Sequence, residues 1–485
     1  MSYRSLAEFV NRLRAEGELI DVSEAVDPAL EVTELADRMM KQPDGGKALL
    51  FSRPKRGRFP LLINAFGSRR RLALALGERD VDELARDLGL LLRGRPPTDL
   101  RDAVSLLNKA LGLRHARPRR VAAAPCQEVV SAQPDLGELP VQTCWPQDGG
   151  PFVTLPLVFS RDPDSGERNV GMYRMQVYDH CTTGMHWQRQ KTGRRHLDRY
   201  RALGRRMEVA VALGGDPVYT FCATAPLPDG VDELLLAGYL RRERVPLTAC
   251  RTIDMEVPAD CDFVLEGYVD PAEAFRTEGP FGDHTGWYSL PDDYPVFHVT
   301  CMTHRRDPIY PCTIVGAPPM EDYYLGEASA RLFMPVLRMV FPEIVDLHLP
   351  AAGVFHNLVL VSIRKQYPYH AYKVMSGLWG MGQMSCVKAI VVLDDDVDLR
   401  NGAEVAWRLL GSIDPRRDIL LSRGPADTLD HATERPNIGS KIGIDATTKW
   451  KEEGFERQWP PLIRMTEEVR RRMDPLWELI RRELD

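Results

Sequence analysis

Asn169-Val170-Gly171-Met172-Tyr173-Arg174-Met175-Gln176-Val177-Tyr178 is a run of β-prone residues with an amide at its head and a guanidinium inside it. Similar short runs stand around it at 153–159, 209–213, 263–269, 296–302 and 309–314, cut apart by Pro, Gly and Asp. That spacing predicts a mostly antiparallel sheet or barrel from about residue 120 to about residue 320. One helix is expected within it at 233–242, after the turn Pro228-Asp229-Gly230.

Outside this middle, helical and strand patterns alternate. Leu6, Phe9, Val10 and Leu13 recur at helical spacing, with Ser5 as the cap and Glu8 three residues on. Apolar runs at 48–51 and 61–64, then a helical stretch at 81–92, make the first segment a small α/β unit. Past 325, helices at 326–340 and 372–383 alternate with strands at 354–363 and 389–393, the last apolar enough for a buried parallel strand. A closing helix puts Leu476, Leu479, Ile480 and Leu484 on one face, a stripe expected to dock on another subunit. The fold class is α+β or α/β multidomain, divided at 1–115, 116–322, 323–455 and 456–485.

At 485 residues, 44% hydrophobic and 27% charged, the chain has ordinary globular proportions and needs no staples for its core. A net charge of −6 argues against nucleic acid as the main partner, and the Arg-rich runs at 53–58, 114–120 and 194–206 read as solvated faces. Nine cysteines fall singly, without a CxxC pair, so reduced thiols in a cytoplasmic protein are expected rather than zinc or disulfides. No run reaches the ~20 apolar residues of a membrane span.

Chemistry concentrates in Glu278-Gly279-Pro280-Phe281-Gly282-Asp283-His284-Thr285-Gly286, two carboxylates five residues apart on a loop stiffened by glycines and a proline. Arg174 amid apolar neighbours needs an anion: Glu278, Asp283 or a ligand phosphate, unless it snorkels from a half-buried strand. Asn169 and Arg174 differ by an odd number and would face opposite sides of a regular strand, so a bulge at Gly171 is expected. Asn169, Glu233 and a donor from 185–191 suit an oxygen-preferring divalent cation. Lys388, before the apolar strand, could meet a cofactor phosphate, whereas Asp394, Asp395, Asp396 and Asp398 read as a solvated loop. Gly439-Ser440-Lys441-Ile442-Gly443 lacks the spacing of a P-loop.

In their order along the chain, NVGMYRMQVY, GMHWQ, VAVALGGDP, APLPDGVDE, EGPFGDHTG, Lys388 with IVVLDDDVD, and KIGIDATTKW resemble the UbiD family of prenylated-FMN-dependent (de)carboxylases. The resemblance implies a central split β-barrel that binds the flavin and an α/β C-terminal part that oligomerises. It also implies non-oxidative, reversible decarboxylation of an α,β-unsaturated or aromatic acid. Arg174, Glu278 and Asp283 would be the catalytic constellation, with Asp283 or Glu278 as proton donor and a raised proton affinity expected for the donor. Cofactor contacts are implied at Asn169, Gly171, Met172, Arg174, Gln190, Thr224, Ala225, Pro226, Glu233 and Lys388. Mn²⁺ or Mg²⁺ would lie on Asn169, Glu233 and Gln190, with K⁺ nearby. The family's usual third ligand is histidine, so Gln190 is a departure, with His186 as the substitute. The implied partners are the acid substrate, a UbiX-type flavin prenyltransferase that supplies the cofactor, and further copies of the chain as a homodimer or higher oligomer. A flavin-dependent oxidoreductase and a non-catalytic flavin-binding accessory protein are the competing readings.

Overall fold

The computed structural model describes residues 2–93, 112–227 and 230–483. Pro228 and Asp229 of the expected turn, and Leu484 of the closing stripe, lie outside them. The opening helix forms as its spacing predicts, at Leu6–Ala15, with the Ser5 hydroxyl accepting from Glu8 N at 3.1 Å and Leu6, Phe9, Val10 and Leu13 buried.

Six antiparallel strands make the central sheet, in the order Thr182–Gly184, Val296–His304, Phe263–Val269, Met207–Leu213, Leu157–Arg161 and Arg168–Met172. Val129–Ser131 adds to Val296–His304. Among the described residues the end strands do not bond to each other, so the sheet is not a closed barrel. From residue 209 on, its strand Met207–Leu213 is apolar because both faces are covered: Val209, Val211 and Leu213 join one core, and Ala210 and Ala212 the other. Each such valine or leucine contributes about 1.5–3 kcal/mol by leaving water.

Strand 309–314 of the sequence reading is only Tyr310–Pro311, and it leaves the central sheet. It pairs in parallel with Leu61–Ile63, completing a four-stranded sheet with Ala48–Phe51 and Leu19–Val22. The N-terminal segment therefore shares a core with the central one: Phe9 and Leu13 pack in the same cluster as Leu157, Phe221 and Leu325.

Helix Glu321–Val340 leads into the third layer. There Ala389–Asp394 lies in the middle of a five-stranded sheet, parallel to both Leu358–Ile363 and Ile438–Asp445, as its apolar run predicts. Ile344–His348 and Ile419–Pro425 close the two edges antiparallel. The strand expected at 354–363 starts late, because Val354 and Phe355 take the left-handed conformation, with φ of 41° and 65°. The last helix, Glu467–Arg481, has no buried residue among those described and leaves Leu476, Trp477, Leu479 and Ile480 exposed. No helix among the described residues is long and apolar enough to cross a membrane.

Candidate active site

Arg174 sits in a break between two strands of different sheets. The 169–178 run is not one strand: Arg168–Met172 pairs regularly with Leu157–Arg161, and Met175–Gln176 pairs instead with Phe152–Val153. No bulge occurs at Gly171. The strand switch cures the parity problem, turning Arg174 to a new direction while Asn169 stays opposite Ser160 in the ladder. Gly171 is small for another reason, since a Cβ there would stand 2.5 Å from the Tyr173 hydroxyl, whose ring folds back over it.

The acidic loop is fixed from three sides. Gln176 accepts from Gly279 N at 2.8 Å and donates to Gly149 O at 2.7 Å. Asp148 takes the amides of Gly282 and Trp145, each at 2.8 Å, and Gly149 N donates to Pro280 O at 2.7 Å. A side chain at 282 is forbidden, for its Cβ would lie 2.2 Å from the Trp145 ring.

On this scaffold Arg174 holds both carboxylates, donating from Nε to Glu278 Oε1 at 3.0 Å and from Nη1 to Asp283 Oδ2. Its guanidinium also lies 4.6 Å over the Phe281 ring. His186 Nδ1 reaches Glu278 Oε1 at 2.7 Å, its ring 4.3 Å from that of Tyr294. His186 thus belongs to the acid cluster, and its place there gives no support to its role as a metal ligand. Glu278 and Asp283 are 1% and 5% exposed, and Glu278 Oε2 has no hydrogen-bond partner among the described residues.

The expected rise in proton affinity does not occur. Burial pushes the Glu278 carboxyl up, but His186 and Arg174 outweigh it and hold the group below its usual range. Burial likewise opposes ionisation of Asp283, yet Arg174 and His284 hold it far below the ordinary carboxylate range. Burial, helped by Arg174, lowers the proton affinity of His186, and Glu278 opposes them. Two buried acids sharing one guanidinium are therefore both ionised at rest.

Asp283 has a second basic neighbour in the next residue of the loop. His284 places both its backbone N, at 2.8 Å, and Nδ1, at 2.9 Å, on Asp283 Oδ1. Its Nε2 lies 3.0 Å from Nε2 of His356, which comes from the third layer and which nothing in the sequence singled out. Beside this pair is a small cavity of about 10 Å³, lined by His284, Met320, Asp322, Tyr323, Val354 and Phe355.

At the other end of the switched strand, Glu233 opens helix Glu233–Arg241, capped by Asp232. Its Oε2 accepts from Val170 N at 2.8 Å, which brings the carboxylate next to Asn169. Burial raises Glu233 to about 7, with Val170 N opposing. The Arg168 guanidinium is given to Asp232, and among the described residues buried Asn169 Nδ2 has nothing better than its approach to the Tyr173 hydroxyl. The Glu233 carboxylate and the amide oxygen of neighbouring Asn169 are hard donors of the kind a divalent ion takes, while the Nδ2–H group calls for an acceptor instead. Gln190 is exposed and donates to Gln188 at 3.1 Å. Thr224, Ala225 and Pro226 end helix Pro217–Thr224, which packs on the strand that carries Asn169, Gly171 and Met172. Lys388 spends its charge on Asp430 at 2.7 Å, while its backbone N donates to His356 O.

Residues 10–92, 119–318 and 323–446 match, in turn, the N-terminal, Rift-related and C-terminal domains of 3-octaprenyl-4-hydroxybenzoate carboxy-lyase, UbiD. An uncharacterised protein of Archaeoglobus fulgidus is 48% identical over 483 residues, 99% of both chains. Vanillic acid decarboxylase of Sedimentibacter hydroxybenzoicus in its closed form superposes with a TM-score of 0.86, at 26% identity and 99% coverage of each chain. Its open form gives 0.78, covering 99% of this chain and 100% of that one. The UbiD-class enzyme HmfF of Pelotomaculum thermopropionicum, in complex with FMN, is 29% identical with a TM-score of 0.78, over 94% of this chain and 97% of its own. An evolved dimeric form of HmfF holds prFMN. The resemblance carried by the short motifs thus extends to the whole length of the sequence, and the chain belongs to the UbiD family of carboxy-lyases.

Proposed function

We propose that the protein catalyses the reversible, non-oxidative decarboxylation of an α,β-unsaturated or aromatic carboxylic acid with prenylated FMN bound. One observation carries the reading: Glu278 Oε2 is a buried, unpartnered oxygen in a cluster whose other charged groups are paired. An ionised acid with a free lone pair inside a rigid site is placed for a ligand, because leaving it empty-handed is costly.

Loss of CO₂ from an sp² carbon leaves charge that no side chain can hold, and the prenylated flavin supplies the electron sink when bound. Asn169, Glu233 and Gln190 would hold Mn²⁺ or Mg²⁺ at its phosphate, with K⁺ nearby. Gly171, Met172 and the 224–226 turn would line its ring, and the central sheet would be the split barrel of the family. Arg174 keeps Glu278 and Asp283 ionised and fixed in direction. Asp283 hands a proton to the carbon that lost CO₂, and Glu278, with its open oxygen, faces the reacting group. Since both acids are ionised at rest, the proton must reach Asp283 from a neighbour. The exposed stripe of helix Glu467–Arg481 is the subunit contact, and a UbiX-type prenyltransferase provides the cofactor.

Co-expression with such a prenyltransferase, followed by a panel of aromatic and α,β-unsaturated acids, tests the reading. Glu278→Gln should lower turnover by ~10²–10⁴ while the bound cofactor keeps its absorbance spectrum. Near wild-type turnover in cofactor-loaded Glu278→Gln would refute it.

A further inference from the structure

We infer that His284 and His356 form a proton relay across the seam between the central and C-terminal layers, delivering to Asp283 the proton that replaces CO₂. The inference rests on the decarboxylase reading, and neither ring need touch the reacting carbon, since both act through Asp283.

Two imidazole nitrogens 3.0 Å apart can bond only if one carries a proton and the other a lone pair. His284 Nδ1 is committed as a donor to the Asp283 carboxylate. Its Nε2 therefore either donates to His356 as part of an imidazolium or accepts from His356 as a neutral ring, and one proton moving along the N···N axis interconverts the two. The surrounding charges favour the first form. For His284, burial is outweighed by Asp283, with Asp322 and Asp427 also facing it, and its proton affinity is raised. For His356, burial wins over Asp427 at 3.9 Å and Asp430, with His284 adding to it, and its proton affinity is lowered. Lys388 neutralises Asp430, and Asp427 also faces Lys191.

The step balances. From the form in which His356 carries the extra proton, His356 passes its Nε2 proton to His284 Nε2 as His284 passes its Nδ1 proton to Asp283; the C–C bond to the carboxylate breaks, CO₂ leaves, and the electron pair left on carbon takes that proton, returning Asp283 to the carboxylate. Both rings end neutral, and uptake of one solvent proton, with return of the His284 proton to Nδ1, restores the starting state. One proton is consumed per CO₂, and the reverse order serves carboxylation.

His356 is aimed at the seam by strained backbone. Val354 and Phe355 both have positive φ immediately before it, a conformation that β-branched and aromatic residues rarely take and that persists only where packing enforces it. The Phe355 ring fills the space above Gly326, where a Cβ would lie 2.2 Å from it, and also stands 5.6 Å from His284. Trp287 and His431 make a second ring contact across the same seam at 4.6 Å. The relay is therefore assembled only when the two layers meet as they do here, and the fold superposes better on the closed than on the open form of vanillic acid decarboxylase, 0.86 against 0.78.

Two measurements test the relay. In ¹⁵N-histidine-labelled full-length protein without cofactor, two of the imidazoles should titrate as a coupled pair, and His356→Asn should convert His284 to simple one-site behaviour. In cofactor-loaded enzyme, His356→Ala should lower kcat by ~10²-fold with little change in KM, and added imidazole should restore a substantial part of it. Independent titration of all histidines in wild type overturns the relay whether or not any acid on the panel is turned over. So does an unimpaired kcat in His356→Ala, or an impaired one that imidazole leaves unchanged while near-UV circular dichroism matches wild type.

Discussion

The two ends of the switched strand differ in how their charges are settled. At the Arg174 end, each carboxylate meets a guanidinium and an imidazole, and both acids are held ionised by the protein itself. At the Asn169 end, Glu233 is buried with one backbone amide for company and is pushed up to about 7. The first end is preorganised before any ligand arrives; on the proposed reading the second would be completed by a cation from outside. On the proposed reading, that contrast would separate the residues that direct the chemistry from those that retain the cofactor, although only a few positions lie between them.

The comparison breaks hardest at Arg174. Arg174→Ala leaves two carboxylates buried without their shared cation, which should destabilise the fold by about 3–5 kcal/mol and abolish measurable decarboxylation. The pH dependence of stability should change sign as well. In wild type the Asp283 carboxyl is held below its unfolded value of about 3.9, so its contribution is present above that pH and is lost as pH falls towards the folded value. Without Arg174, burial dominates and raises the carboxyls, so their contribution is lost as pH rises instead. Melting temperatures from pH 3 to pH 7 should climb in wild type and flatten or fall in the variant; parallel curves would mean that Arg174 is not what holds the acids ionised.

The sequence made the first end more legible than the second layer of contacts around it. Loop composition alone marked Glu278 and Asp283, and an arginine among apolar residues demanded an anion. What it hid was long-range: that 169–178 breaks to serve two sheets, that Tyr310–Pro311 crosses to the N-terminal sheet, and that His356, 72 positions from His284, completes the acid site. Periodicity reports which face of an element is apolar, not which element it meets. The raised proton affinity expected from two neighbouring acids failed for the same reason, because the expectation placed one guanidinium near the pair but could not know that it bonds to both. Buried parallel strands, by contrast, announce themselves, and Ala389–Asp394 lies where its apolar run predicts.

At the Asn169 end the expected effects are on retention rather than on the chemical step. Glu233→Ala removes the only carboxylate of the donor set and should weaken Mn²⁺ binding by at least ~10–100-fold, the loss that even outer-shell changes produce. Isothermal titration with Mn²⁺ alone checks it, with no cofactor present. Tight, unaltered binding in Glu233→Ala would move the metal elsewhere and dissolve the contrast between the two ends.

The smallest effect should come from Gln190, and it sharpens the comparison in the opposite direction. An exposed neutral amide oxygen on a turn is a weaker donor to a first-row transition metal than imidazole, even where the metal, like Mn²⁺, otherwise favours oxygen. Gln190→His should therefore slow metal loss during dialysis, by a factor nearer ten than a thousand, while leaving the Arg174 cluster and its pH behaviour untouched. If the histidine variant retains metal no better, the third donor does not come from this turn. Glu233 and Asn169 would then have to be completed by the cofactor phosphate and water alone, which would make metal and flavin binding strictly interdependent.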